Sequence, residues 1–215
     1  MDILSDISAF VPLILVVLYL VTFRKNKDYI GYQQFCIYLI FISFISAFTA
    51  VLYYLKENNL IYSHVYFIGE FLLLSLFFKS ILLQEQRKKA NFLIISVSFA
   101  LLILIIISFL GYFNLTAFHP LEILLCAIPI LLLSAINLYN SYTNKLRFLY
   151  ITIGVIVYKT ISVLVFILQN FSNPIEGFKS FGRLLLALNS VFLLVYYGLI
   201  FFEWFKNFRH KKANS

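Results

Sequence analysis

The chain alternates between long apolar segments and short polar ones. Seven apolar segments of about 20 residues follow one another, at about 4–23, 33–54, 61–82, 91–112, 119–140, 148–169 and 182–204. About 20 mainly apolar residues are needed for an α-helix to cross the hydrocarbon core of a bilayer. The pattern therefore predicts an all-α membrane protein, a bundle of seven transmembrane helices in one domain (1–215) whose main partner is the lipid bilayer.

The basic residues predict the orientation, because cytoplasmic loops are enriched in Lys and Arg. Only Lys56, Lys179 and Arg183 fall on one side of the predicted bundle. The other side has thirteen: Arg24, Lys25, Lys27, Lys79, Arg87, Lys88, Lys89, Lys145, Arg147, Lys206, Arg209, Lys211 and Lys212. That side is predicted to be cytoplasmic. An odd number of spans then places the N-terminus outside and the C-terminus inside, in a multi-pass protein of the inner (plasma) membrane.

Composition supports a membrane environment and argues against nucleic acid as a partner. Hydrophobic residues make up 62% of the chain and charged residues 12%, whereas soluble domains have about 45–50% apolar and 25% charged residues. The net charge of +8 comes from short basic clusters between apolar segments, a pattern typical of loops that face anionic lipid headgroups. Cys36 and Cys126 lie inside apolar segments, so we interpret them as small buried hydrophobic residues.

Two ionisable residues lie deep within the predicted spans, Glu70 in the third and Lys159 in the sixth. Charge within a bilayer is costly, so both are expected to face the bundle interior. One interpretation is an interhelical pair that fixes the register of two helices. The other is a charged contact in a ligand pocket or proton path, and the sequence leaves both open.

Further polar residues in the third, sixth and seventh spans lead to a site hypothesis. Lipid cannot solvate them, so they should converge on each other or on water. We predict a polar pocket that opens to the outside and is lined by His64, Tyr66, Glu70, Tyr158, Lys159 and Asn189. No spacing enforces a metal site, although His64, His119 and Glu122 are weak candidate ligands. Glu203 and Trp204, at the end of the last span, are interpreted as an interfacial anchor.

The segment from Asn58 to Phe71 carries a resemblance to a known family. It reads Asn-Asn-Leu-Ile-Tyr-Ser-His-Val-Tyr-Phe-Ile-Gly-Glu-Phe. It resembles uncharacterised small membrane proteins of Bacteroidetes, in which an Asn-Asn turn leads into a helix with a Tyr and a Glu-Phe pair. The segment from Phe148 to Tyr158 and the helix of Asn189 also look similar, whereas Lys159 departs from the pattern. The resemblance implies the same architecture and an accessory role beside sensory kinases.

Several functions remain open. The sequence has no glycine-rich phosphate loop, no His-Glu-x-x-His and no Gly-x-Ser-x-Gly motif, so no cofactor is predicted and an enzyme is less favoured. The main hypothesis is a non-catalytic sensory or accessory component with a small-molecule ligand or a membrane or cytoplasmic partner protein. The alternative is a small-solute transporter with a three-plus-one-plus-three helix repeat, similar in outline to SWEET and PQ-loop proteins. Its prolines would be Pro12 and Pro129, which lack the family's following Gln. A lipid-active membrane enzyme and a membrane effector of a defence system are further alternatives.

Overall fold

The computed structural model describes residues 3–57, 60–111, 119–144, 147–172 and 179–209. These residues form helices joined by short turns, and no strand occurs among them. The helices are α1 (Ile3–Val21), α2 (Phe23–Asn26), α3 (Tyr32–Tyr54), α4 (Leu60–Ile81), α5 (Gln84–Phe109), α6 (Pro120–Asn144), α7 (Leu149–Ser172) and α8 (Lys179–Glu203), which continues as a π-helical turn, Trp204–Phe208. The prediction of an all-helical chain is confirmed for the described residues.

Six helices, α3 to α8, are long and apolar enough to cross a membrane. In α1, the segment Ile7–Val21 is a shorter apolar helix. The largest difference from the predicted boundaries is at α5, which begins at Gln84 rather than near residue 91. Gln, Glu, Arg, Lys and Ala are strong helix formers, so the polar segment 84–90 extends the apolar helix by two turns.

Six helices form a closed ring in the order α1, α3, α4, α6, α7 and α8, with α8 returning to α1. Helix α5 lies outside this ring and packs against α4 and α6. It is the least buried of the six candidate spans. The interior of the ring is filled mainly by aromatic and aliphatic side chains, including Tyr19, Phe35, Phe71 and Phe77, each fully buried.

One end of the ring carries the described basic residues Arg24, Lys25, Lys27, Lys79, Arg87, Lys88, Lys89, Arg147, Lys206 and Arg209, and we call it the basic end. Here three hydrogen bonds join the segment of α1 and α2 to α8 and its π-helical turn. The Tyr19 hydroxyl donates to the Ile200 carbonyl (3.2 Å), Trp204 Nε1 to Thr22 Oγ1 (3.1 Å), and Asn26 Nδ2 to the Phe208 carbonyl (3.0 Å). The Phe208 ring contacts those of Tyr19, Tyr29, Tyr32 and Phe148. This cluster closes the ring between its first and last helices.

Two glycines allow neighbouring helices to approach closely. A Cβ at Gly69 of α4 would lie 2.1 Å from the Phe41 ring of α3, and one at Gly154 of α7 would lie 2.7 Å from the Tyr196 ring of α8. A side chain at either position would therefore push against an aromatic ring. In both places the large ring occupies the space that the missing side chain leaves.

Candidate functional site

The centre of the ring contains a buried ion pair between α4 and α7. Lys159 Nζ donates a hydrogen bond to Glu70 Oε2, and the two residues are 5% and 1% exposed. The other carboxylate oxygen, Glu70 Oε1, is buried and has no hydrogen-bond partner among the described residues. Pairing offsets part of the cost of burying each charge. Both residues therefore face the bundle interior, as predicted from the cost of placing a charge in lipid.

A layer of tyrosines lies next to this pair. Tyr66 precedes Glu70 by one helical turn, so the two share a face of α4, and its side chain lies near that of Tyr158. Lys159 Nζ is 5.4 Å from the centre of the Tyr158 ring, within the range of a cation–π contact. The Tyr158 ring stacks on Tyr196, whose hydroxyl donates to the Tyr38 hydroxyl (3.1 Å). The layer thus links α3, α4, α7 and α8 around the ion pair.

Beyond the tyrosine layer, towards the end opposite the basic end, lies a cavity of about 270 Å³. It lies between α1, α3, α4, α7 and α8. Among the described residues, its lining consists of six hydroxyl-bearing and five apolar ones: Ser8, Ser46, Thr49, Ser63, Tyr66, Tyr158, Ala9, Ala50, Phe67, Phe166 and Leu193. No ionisable side chain other than the two tyrosines is among them. The volume is just below the range of about 300–1,000 Å³ found for typical small-molecule sites.

His64 belongs to a separate pair on another face of α4. Its Nδ1 lies 2.5 Å from Glu122 Oε2, in the first turn of α6. The side chains are 15% and 5% exposed. Six residues separate His64 from Glu70, and successive residues rotate by about 100°, so the two side chains point to different neighbours. A carboxylate in a first helical turn also interacts favourably with the helix dipole.

The remaining predicted site residues are not brought to the cavity. Asn189 is partly buried on α8, and its side-chain oxygen has no hydrogen-bond partner among the described residues. His119 precedes α6, near Glu122 in the chain. Within the described ranges, no three His, Cys, Asp or Glu side chains form a group that could hold a metal ion. Of the predicted pocket residues, Tyr66 and Tyr158 line the cavity, and Glu70 and Lys159 lie next to these tyrosines.

The role of Glu203 was missed by the sequence interpretation as an interfacial anchor. This carboxylate is fully buried and accepts hydrogen bonds from the backbone N–H groups of Phe148 and Tyr150, both at 2.9 Å. Asn207 Nδ2 also donates to it (2.5 Å). Glu203 therefore caps the N-terminus of α7 from the end of α8, where free N–H groups need acceptors. The sequence does hold one signal for this contact. No Ser, Thr, Asp or Asn stands directly before Leu149, so α7 lacks a local N-cap residue and needs an acceptor from elsewhere.

The ring of apolar helices and its buried polar centre define the class to which the chain belongs: it is a polytopic helical membrane protein. Comparison of the chain with protein families, curated proteins and solved structures found no match.

Proposed function

We propose that the chain is a non-catalytic sensory or accessory component of the inner membrane that binds a small uncharged molecule in the cavity beside Tyr66 and Tyr158. In this proposal α1 and the six helices α3 to α8 all span the membrane, with the N-terminus outside and the basic end in the cytoplasm. The cavity then opens to the outside. The resemblance to small membrane proteins of Bacteroidetes supports an accessory role, with a partner protein that supplies the output.

The observation that carries the proposal is the position of the cavity directly against the tyrosine layer. Six hydroxyl-bearing side chains can donate and accept hydrogen bonds, while Phe67, Phe166 and Leu193 provide apolar contacts. Small-molecule sites combine an apolar lining with a few polar groups in this way. Because no carboxylate, ammonium or guanidinium group is among the described residues that line the cavity, the lining favours an uncharged ligand with hydroxyl or carbonyl groups.

The same position provides a route from ligand to helix movement. A ligand that bonds to both Tyr66 and Tyr158 connects α4 to α7 and sets the distance between these two side chains. Tyr158 lies beside the Glu70–Lys159 pair, which also joins α4 to α7. A ligand shifts a conformational equilibrium only through contacts that differ between the two states. A change in the distance between Tyr66 and Tyr158 on ligand binding is such a difference.

Thermal unfolding of the purified protein tests the proposal. Uncharged polyols and small amides are screened beside charged analogues, and we expect a subset of the uncharged compounds to raise the Tm. Ala50→Leu fills the cavity and should abolish that increase. Ala47→Leu is the matched control, because Ala47 is on the same helix and does not line the cavity. If no uncharged compound raises the Tm, or if both variants respond like the unmodified protein, the proposal is wrong.

A second candidate, transport of the bound molecule, is favoured by the position of α5. Helices α1, α3 and α4 are consecutive in the ring, and so are α6, α7 and α8, while α5 connects the two sets from outside. This arrangement matches the outline of a three-plus-one-plus-three repeat. Proteoliposomes and a radiolabelled form of the stabilising compound separate the two functions. Counterflow that Ala50→Leu abolishes would favour a transporter, whereas binding without flux would favour a sensory component.

A further inference from the structure

A basic groove lies between α4 and α5 at the basic end of the bundle, far from the cavity described above. It has a volume of about 500 Å³ and is lined by Lys79, Arg87, Lys88, Asn91, Phe92 and Ile95. Three of these six side chains are cationic and none is acidic. Helix α5 lies outside the ring, so the groove faces the surroundings of the bundle rather than its interior.

Two of the three cations are held in place by hydrogen bonds. Lys79 Nζ donates to Asn91 Oδ1 (2.6 Å), across the groove from α4 to α5. Arg87 Nε and Nη2 donate to the carbonyls of Leu82 (3.0 Å) and Ser80 (2.9 Å). These contacts use two of the five N–H groups of the guanidinium and one of the three of the ammonium. The remaining donors suit an anion such as a phosphate group.

The groove continues into an apolar surface along α5. Phe92 and Ile95 are 75% and 59% exposed. They are followed on the same helix by the exposed side chains Phe99, Leu102, Ile103 and Ile106. Cations at the membrane surface and an apolar stripe towards its centre match the two parts of a phospholipid, because basic pockets between transmembrane helices bind anionic headgroups.

We propose that this groove binds an anionic phospholipid, with the headgroup phosphate at Lys79, Arg87 and Lys88 and the acyl chains along Phe92 and Ile95. The occupant is a lipid rather than a free anion because the groove is open along the apolar face of α5 and not enclosed around the cations. The groove is separate from the cavity beside Tyr66 and Tyr158, so lipid binding here does not depend on the ligand proposed for that cavity. Occupancy would join α5 to α4 through the headgroup.

Native mass spectrometry of the full chain tests this site. The protein is equilibrated with equal amounts of phosphatidylglycerol and phosphatidylcholine, and we expect phosphatidylglycerol adducts to predominate. The variant Lys79→Gln/Lys88→Gln should bind phosphatidylglycerol about tenfold more weakly or worse, since each basic group near the membrane surface contributes to anionic lipid binding. Arg87 is retained because it bonds carbonyls at the end of α4. Lys88→Glu reverses the charge at an exposed position and should have the same effect without altering folding.

The matched control is Lys25→Gln/Lys89→Gln, which removes the same charge from the basic end outside the groove. It should retain the preference for phosphatidylglycerol. An equal loss in the control variant would overturn the proposal, because diffuse surface charge would then explain the binding. Equal binding of the two lipids would also overturn it. Displacement of the lipid by millimolar inorganic phosphate would show that the groove binds a free anion, and the proposal of a lipid site would be wrong.

Discussion

Among the described residues, three buried glutamates are each stabilised by a different kind of partner. Glu70 is paired with an ammonium group, Glu122 with an imidazole, and Glu203 with backbone N–H groups. A buried carboxylate is costly unless it is paired or hydrogen-bonded. Glu203 accepts donors at both oxygens, whereas one oxygen of Glu70 and one of Glu122 has no partner among the described residues. The two incompletely satisfied carboxylates are therefore the better candidates for a change of partner during function.

Removing one member of the central pair should destabilise the protein more than removing both. Lys159→Met leaves the Glu70 carboxylate buried alone, and Glu70→Gln leaves the ammonium alone, so each should cost about 3–5 kcal/mol. The double variant has no isolated charge and should cost less than the sum of the two single changes. Thermal or denaturant unfolding in one detergent measures all three.

Lys25→Met is the control for the introduced methionine, because Lys25 is exposed at the basic end, and it should change stability little. Additive single effects would mean that Glu70 and Lys159 do not act as a pair.

Loss of the charge on Glu203 should weaken the α7–α8 connection. Glu203→Gln retains the shape and replaces one acceptor oxygen with a donor NH₂ group, which cannot accept from the N–H of Phe148 or Tyr150. A buried donor without its acceptor costs about 1–3 kcal/mol. Hydrogen exchange should increase in the first turn of α7 in particular. Glu85→Gln, an exposed change in the first turn of α5, removes only a helix-dipole interaction of about 0.3–1 kcal/mol and should leave hydrogen exchange in α7 unchanged.

The contrast between Glu70 and Glu203 shows which parts of the site sequence reasoning can reach. The cost of charge in lipid depends only on depth within an apolar segment, so interior positions for Glu70 and Lys159 follow from the sequence. Glu203 lies at the end of a span, where a polar side chain can either reach water as an anchor or face the bundle. Hydropathy does not distinguish these two orientations. Its burial depends on the neighbouring N-terminus of α7, which the sequence around Glu203 does not reveal. His64 was placed with Glu70, although helical rotation directs it to Glu122.

At the scale of elements, helix packing depends on a few positions where a ring fills the space beside a glycine. Gly69→Ala should destabilise the α3–α4 contact, because the new Cβ would lie 2.1 Å from the Phe41 ring. Overpacking of this kind costs about 1–3 kcal/mol. Thermal unfolding measures the change, and a second substitution, Phe41→Leu, should recover part of the loss by removing the clashing ring.

Gly198→Ala serves as the comparison for the same chemical change. Gly198 is also inside a helix, but a Cβ there meets nothing within 4 Å. Alanine favours the helix over glycine by up to about 1 kcal/mol, so this variant should be as stable as the unmodified protein or more stable. If Gly69→Ala behaved like Gly198→Ala, close packing of α4 against Phe41 would be refuted.

The helix boundaries differ from the sequence prediction mainly where polar residues continue a helix beyond its apolar part. At α5 the extension is Gln84–Ala90, and after α8 it is the π-helical turn that contains Phe208. Hydropathy detects the membrane-compatible part of a helix and not its polar continuation. The ring order is not encoded locally either, because any apolar helix can pack against any other. The outside position of α5 therefore emerges only from the structure.

At the scale of the whole molecule, reporter fusions test the orientation. The basic residues predict that fusions after Lys27, after Arg87 and at the C-terminus report the cytoplasm, while those near Asn58 and Asn173 report the exterior. A C-terminal fusion that reports the exterior would contradict seven spans with the N-terminus outside. A reporter at the N-terminus distinguishes seven spans from six, because only that end changes sides if α1, which contains the shorter apolar helix Ile7–Val21, does not cross.

The contact between α1 and α8 also determines when the protein can be completed during synthesis. Tyr19 and the Ile200 carbonyl to which it donates are separated by 181 residues. Ribosomes add about 5–20 residues per second, so α1 waits roughly 10–40 seconds in the membrane before its last neighbour is made. During that interval the side of α1 that will later contact α8 must be covered by lipid, by α3 or by an insertion chaperone. Ring closure therefore cannot precede the synthesis of α8, and a ribosome that stalls before α8 leaves an open bundle for quality-control proteases to recognise.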